Sequence, residues 1–77
     1  MNRNDVITKE FGKLVKKGRR SKGYTQRELA AIIDSSSATV HFIEHGEQTP
    51  SFIIFFRLCH ALDLDSYAEA LIRNPGV

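Results

Sequence analysis

The segment His41-Phe42-Ile43-Glu44-His45 carries the most concentrated chemistry in the chain. Two imidazoles four residues apart share one face of a helix and can chelate zinc. A glutamate in the HxxEH spacing is the general base of some zinc peptidases. Such an enzyme also needs a distant third ligand and a substrate cleft, and 77 residues leave little room for either. Cys59-His60 adds no chelating spacing. The sequence offers no paired catalytic carboxylates, no glycine-rich phosphate loop and no Cys/His set with a third partner. No enzyme, no metal and no cofactor is expected.

Charge is the second signal. The net charge is +2, yet residues 1–27 hold nine Lys and Arg against two acids, a net of +7. Residues 28–77 hold two against seven, a net of −5. The basic run Lys16-Lys17-Gly18-Arg19-Arg20-Ser21-Lys22 suits a polyanion, and it equally suits a solvated helix end stabilised by the macrodipole. Charge alone leaves both open. With 42% apolar and 26% charged residues, a folded globular chain is expected. One cysteine excludes an intramolecular disulfide and fits a reducing compartment. The longest apolar run, Phe52-Ile53-Ile54-Phe55-Phe56, falls far short of the ~20 residues of a membrane span. Met-Asn-Arg-Asn-Asp at the start is no secretory signal, so a cytoplasmic protein is expected.

Five short helices must position these groups. Ile7, Phe11, Leu14, Val15 and Gly18 lie on one face of a helix over about residues 5–22, ended by Gly23. Thr25-Gln26-Arg27-Glu28 is a capping box that opens a helix to about Ile33, with Leu29, Ala30 and Ile33 inward. After the turn Asp34-Ser35-Ser36, Ser36 caps a third helix ended by Gly46, with Val40 and Ile43 inward. Thr49 as cap and Pro50 as first residue predict a fourth helix to about Leu62, whose pattern uses Phe52, Phe55, Phe56, Cys59 and Leu62, with Phe52 and Phe55 buried. Asp65 caps a fifth containing Tyr67, Ala68, Leu71 and Ile72, ended by Asn74-Pro75-Gly76.

Two short helices joined by a tight turn read as a helix-turn-helix. Thr25-Gln26-Arg27-Glu28-Leu29-Ala30, Ile43-Glu44-His45-Gly46 and Pro50-Ser51, at these separations, resemble the lambda-repressor-like (Xre/Cro-type) family. The resemblance covers about residues 10–65. It implies an all-α, five-helix DNA-binding domain over residues 1–77, with the helix-turn-helix unit at about 25–45 and candidate dimerisation helices at about 50–73. It further implies a homodimeric transcriptional regulator, most often a repressor, whose partner is double-stranded DNA. Gln26 matches a glutamine that touches phosphate and braces the recognition helix. Arg19 and Glu44 match a structural ion pair tying the first helix to the end of the third.

Stepping about 100° per residue from Val40 and Ile43 leaves Ser37, Ala38, His41, Phe42 and His45 facing away from the core. Ser37 reads a base edge from the helix tip, and Ala38 and Phe42 offer apolar contact to thymine methyls. Thr39 and His45 are placed for phosphates, as is Arg27 beside Gln26. This surface departs from the family in having no Arg, Asn or Gln for bidentate base recognition. Asp34 stands where the turn usually has glycine, and Gly18 where a larger apolar residue is usual. Ile53 and Ile54 occupy usually polar positions, and with Phe56 and Tyr67 they form the expected dimer interface, while Ile32 is a further apolar residue at a usually exposed position. The same surplus fits the alternative, a protein-interaction module such as an antitoxin or antirepressor bound to another protein, for example a toxin. RNA-binding and coactivator roles also occur on similar folds.

Overall fold

The computed structural model describes residues 3–73 and consists there of five helices: α1 Arg3–Ser21, α2 Gln26–Ile32, α3 Ser37–Glu44, α4 Phe52–Ala61 and α5 Asp65–Arg73. All-α is therefore the fold class. The proposed stop at Asn74-Pro75-Gly76 lies outside the described residues.

Local chemistry sets the helix ends. Thr25 accepts a hydrogen bond from the Glu28 N–H at 3.0 Å, and the Glu28 carboxylate accepts one from the Thr25 N–H at 2.9 Å, completing the capping box. These bonds hold the Glu28 carboxyl below its ordinary pKa. The Ser36 hydroxyl accepts from the Thr39 N–H at 3.1 Å and starts α3. Between α2 and α3, Asp34 adopts φ 55°, the left-handed conformation that aspartate tolerates better than most residues. Asp63 does the same at φ 58° after α4.

The core is built from Phe11 and Val15 of α1, Leu29 and Ala30 of α2 with Ile33 at its end, Val40 and Ile43 of α3, Leu58 and Cys59 of α4 with Leu62, and Ala68 of α5. Each large aliphatic side chain removed from water in this way contributes about 1.5–3 kcal/mol. Phe11 also tilts against Phe55, with ring centroids 4.8 Å apart, and stacks on Tyr67 at 5.8 Å.

The fourth helix differs from expectation. It starts at Phe52, capped by Ser51, whose hydroxyl accepts from the Ile54 N–H at 3.2 Å. Serine is the stronger N-cap, and the Thr49 hydroxyl instead sits 3.3 Å from that of Thr8 on α1. Phe52 was expected inside and is 77% exposed. Leu58, Cys59 and Leu62 fill the buried stripe, with Phe55 half-buried against them. Phe52 falls a turn earlier, on the rim of an open cleft lined by Ile7, Phe11, Pro50 and Ala68. Phe56, expected at the dimer interface, is 39% exposed.

Candidate nucleic-acid interface

Glu44 is the junction that fixes α3. Its side chain has no solvent exposure, and burying an unpaired carboxylate costs several kcal/mol. Three donors surround it. Arg19 approaches as a fork, Nε donating to Oε2 at 2.6 Å and Nη2 to Oε1 at 3.2 Å. The Gln26 side chain donates from Nε2 to Oε1 at 3.1 Å. The remaining guanidinium nitrogen, Nη1, donates to the Tyr24 carbonyl at 2.7 Å. One carboxylate thus joins α1, the start of α2 and the end of α3. Planar, bidentate geometry sets an angle as well as a distance.

Close packing supplements this clamp. Gly12 of α1 lies directly against the backbone of α3, where a β-carbon would overlap the Ile43 carbonyl oxygen and stand 3.0 Å from that of Glu44. Glycine inside a helix costs about 1 kcal/mol relative to alanine, so its presence here is the one sequence signal for this crossing. Sequence reasoning passed over it. It also passed over Arg57 of α4, whose Nη1 donates to the Ile33 carbonyl at 3.2 Å and ties α4 to the end of α2.

With Val40, Ile43 and Glu44 inward, α3 turns Ser37, Ala38, His41, Phe42 and His45 to solvent. Phe42 is 41% exposed, and its ring meets His41 edge-on at 5.4 Å. Thr39 is half-buried, and its hydroxyl accepts from Ser36 at 3.0 Å. Gln26 is half-buried with its amide engaged by Glu44, while Arg27 beside it is exposed. The HxxEH spacing does not assemble a hydrolytic centre, because Glu44 points into the protein and the two histidines point out of it.

The basic residues are unequal. Lys13, Lys16, Lys17 and Arg20 border one shallow depression, about a quarter turn around α1 from Gly12. Lys13 pairs with Glu10 at the surface. Lys22 is engaged by Asp63 at 2.8 Å, which holds the lysine pKa above and the aspartate pKa below its ordinary value.

The apolar candidates on α4 and α5 also divide. Ile53 is 61% exposed and Phe56 39%, whereas Ile54 and Tyr67 are half-buried against the core. Burial raises the Tyr67 phenol pKa. Phe52 and Ile32 add exposed apolar surface, and Phe56 shares a second shallow depression with Ile32.

A short second helix, a tight turn, and a third helix clamped from behind with its outer face exposed define a helix-turn-helix domain. The helix-turn-helix family model matches residues 15–67, and the chain belongs to that family, of the Xre or lambda-repressor type. Regulators of this fold commonly dimerise. Among solved structures, the restriction-modification controller protein C.AhdI from Aeromonas hydrophila superposes with a TM-score of 0.70 at 28% identity, over 75% of this chain and 88% of that one. The clp gene regulator ClgR from Corynebacterium glutamicum superposes with a TM-score of 0.69 at 26% identity, over 87% of both chains. Endothelial differentiation-related factor 1 from Rattus norvegicus and from Homo sapiens are each 33% identical over 61 residues, 79% of this chain. The chain spans about two fifths of the length of these curated relatives, 41% in each case. No helix among the described residues is long and apolar enough to cross a membrane.

Proposed function

We propose that the chain acts as one unit in the cytoplasm, a homodimeric, sequence-specific transcriptional regulator that represses from a roughly palindromic operator. The observation that carries this reading is the outer face of α3, open to solvent while its inner face is locked through Glu44. Ser37 and Ala38 at the helix tip and Phe42 one turn further on meet base edges. His41, His45 and Arg27 flank them toward phosphates. The second amide hydrogen of Gln26 is left for a phosphate oxygen while the first stays on Glu44. Lys16, Lys17 and Arg20 draw the duplex in over longer range. Two copies place their α3 helices in successive major grooves about 34 Å apart.

Dimerisation runs through α4. Ile53 and Phe56 carry it with Phe52, and Ile54 and Tyr67 support the surface from beneath. That same patch favours a second reading, in which it docks a different protein such as a toxin and DNA binding is secondary. Site selection from a randomised duplex pool, at low and at near-physiological salt, separates the two. A two-fold symmetric motif recovered at both salts supports the operator reading. Recovery of no motif, with binding lost as salt rises, removes it and leaves the protein-docking reading.

A further inference from the structure

His41 and His45 stand one turn apart on the exposed side of α3, their ring centroids 4.1 Å apart and their planes inclined by 34°. Nδ1 of His45 lies 2.8 Å from the His41 carbonyl oxygen. A carbonyl only accepts, so this contact uses an Nδ1 proton, and in the neutral ring it makes Nε2 the nitrogen open to a metal. Metal-binding histidines are held in just this way, with the non-coordinating nitrogen donating to a carbonyl or carboxylate that fixes tautomer and ring orientation. A metal bound by two imidazoles at ~2.0–2.1 Å requires nitrogens about 3 Å apart, a spacing that side chains at i and i+4 of one helix face can reach by rotation of their rings.

From this geometry we infer that His41 and His45 form a two-nitrogen chelate for a divalent transition metal of the nickel, copper or zinc kind. Imidazole suits these ions, whereas magnesium and calcium prefer oxygen. Among the described residues no group of three or more His, Cys, Asp or Glu is placed to hold an ion, so water completes the coordination sphere. Glu44 takes no part, because Arg19 and Gln26 occupy it on the inner face. The chelate requires neither DNA nor a second copy of the chain, and a bound metal would compete with the proposed phosphate contacts of the same two rings.

The test uses the untagged full chain and nickel chloride in calorimetric titrations at about pH 7.5, where free imidazole is largely neutral. Wild type and the His60→Ala variant should bind nickel alike, since His60 lies on α4. His41→Ala and His45→Ala should each bind about ten-fold more weakly or worse, because each removes the second, intramolecular ligand. Copper(II) bound to wild type should show coupling to two imidazole nitrogens by electron paramagnetic resonance, a readout that needs no variant. A single-nitrogen copper spectrum would overturn the chelate. So would nickel affinity that survives either substitution on α3, or that falls equally with His60→Ala.

Discussion

A β-carbon on Gly12 would overlap the carbonyl oxygen of Ile43, so α1 and α3 cross too closely for any side chain at that position. Gly12→Ala puts a methyl group into a backbone atom that no rotamer change can move. We expect a loss of about 3 kcal/mol, read as a lower urea midpoint, with weaker DNA binding from a displaced α3. Gly18→Ala is the control. Its new methyl would meet the Leu62 β-carbon at 3.3 Å, a side-chain neighbour able to yield. The helix-propensity gain of about 1 kcal/mol should roughly offset that crowding.

Arg19→Ala strips the buried Glu44 carboxylate of its forked partner and should cost about 3–5 kcal/mol in urea unfolding. Glu44→Gln removes the charge along with the need for its counter-ion and should cost less. If the double variant is clearly more stable than Arg19→Ala alone, the cost belongs to the stranded carboxylate; equal stability would assign it to lost arginine packing.

Gln26→Ala and Phe42→Ala should separate on DNA. Gln26 bonds Glu44 and is the proposed phosphate contact, so its loss should lower affinity on all duplexes alike. Phe42 and Ser37 are the proposed base contacts, so Phe42→Ala and Ser37→Ala should alter which sites are preferred, by about 1–3 kcal/mol per affected base pair. Binding of a duplex panel by fluorescence anisotropy distinguishes the patterns. Unchanged preference after Phe42→Ala would take that ring out of the groove.

Ile53→Asp tests the proposed dimer surface more cleanly than a change at Ile54. Ile53 is exposed, so its substitution should leave the urea midpoint nearly unchanged while sedimentation gives a monomer. Ile54 packs partly against the core, and a charge there would disturb folding as well as association.

Burial pushes the Cys59 thiol from 9.0 up to about 11. Above about pH 9 the unfolded chain releases this proton while the folded chain keeps it, so stability should fall as pH rises from about 9 to 11. Cys59→Ala should flatten that part of the urea midpoint against pH profile. At neutral pH the native thiol, 1% exposed, should resist iodoacetamide until the chain unfolds.

Local patterns were readable and distant ones were not. The caps at Thr25 and Ser36 join residues three apart, so the string of letters contains the interaction itself. The Arg19–Glu44 contact spans 25 residues, and only the family resemblance pointed to it. Phe52-Ile53-Ile54-Phe55-Phe56 is apolar at every helical phase and therefore says nothing about which residue faces inward. The choice of Ser51 over Thr49 as cap and the depth of Leu58 resolve that phase, with Phe52 left outside. Gly12 was legible only as an anomaly, a poor helix former mid-helix whose reason lies in another segment.

The donors around Glu44 lie on α1 and at the start of α2, and the Arg57 bond to Ile33 brings in α4 as well. The helix-turn-helix is therefore not a detachable part. A peptide containing only α2 and α3 keeps Gln26 but lacks the guanidinium that neutralises Glu44, and its carboxylate would seek water by opening the helix pair. Grafting residues 25–45 onto another scaffold would carry the letters of the recognition surface without the hinge-pin that aims them. Transplanting the surface means transplanting α1 with it.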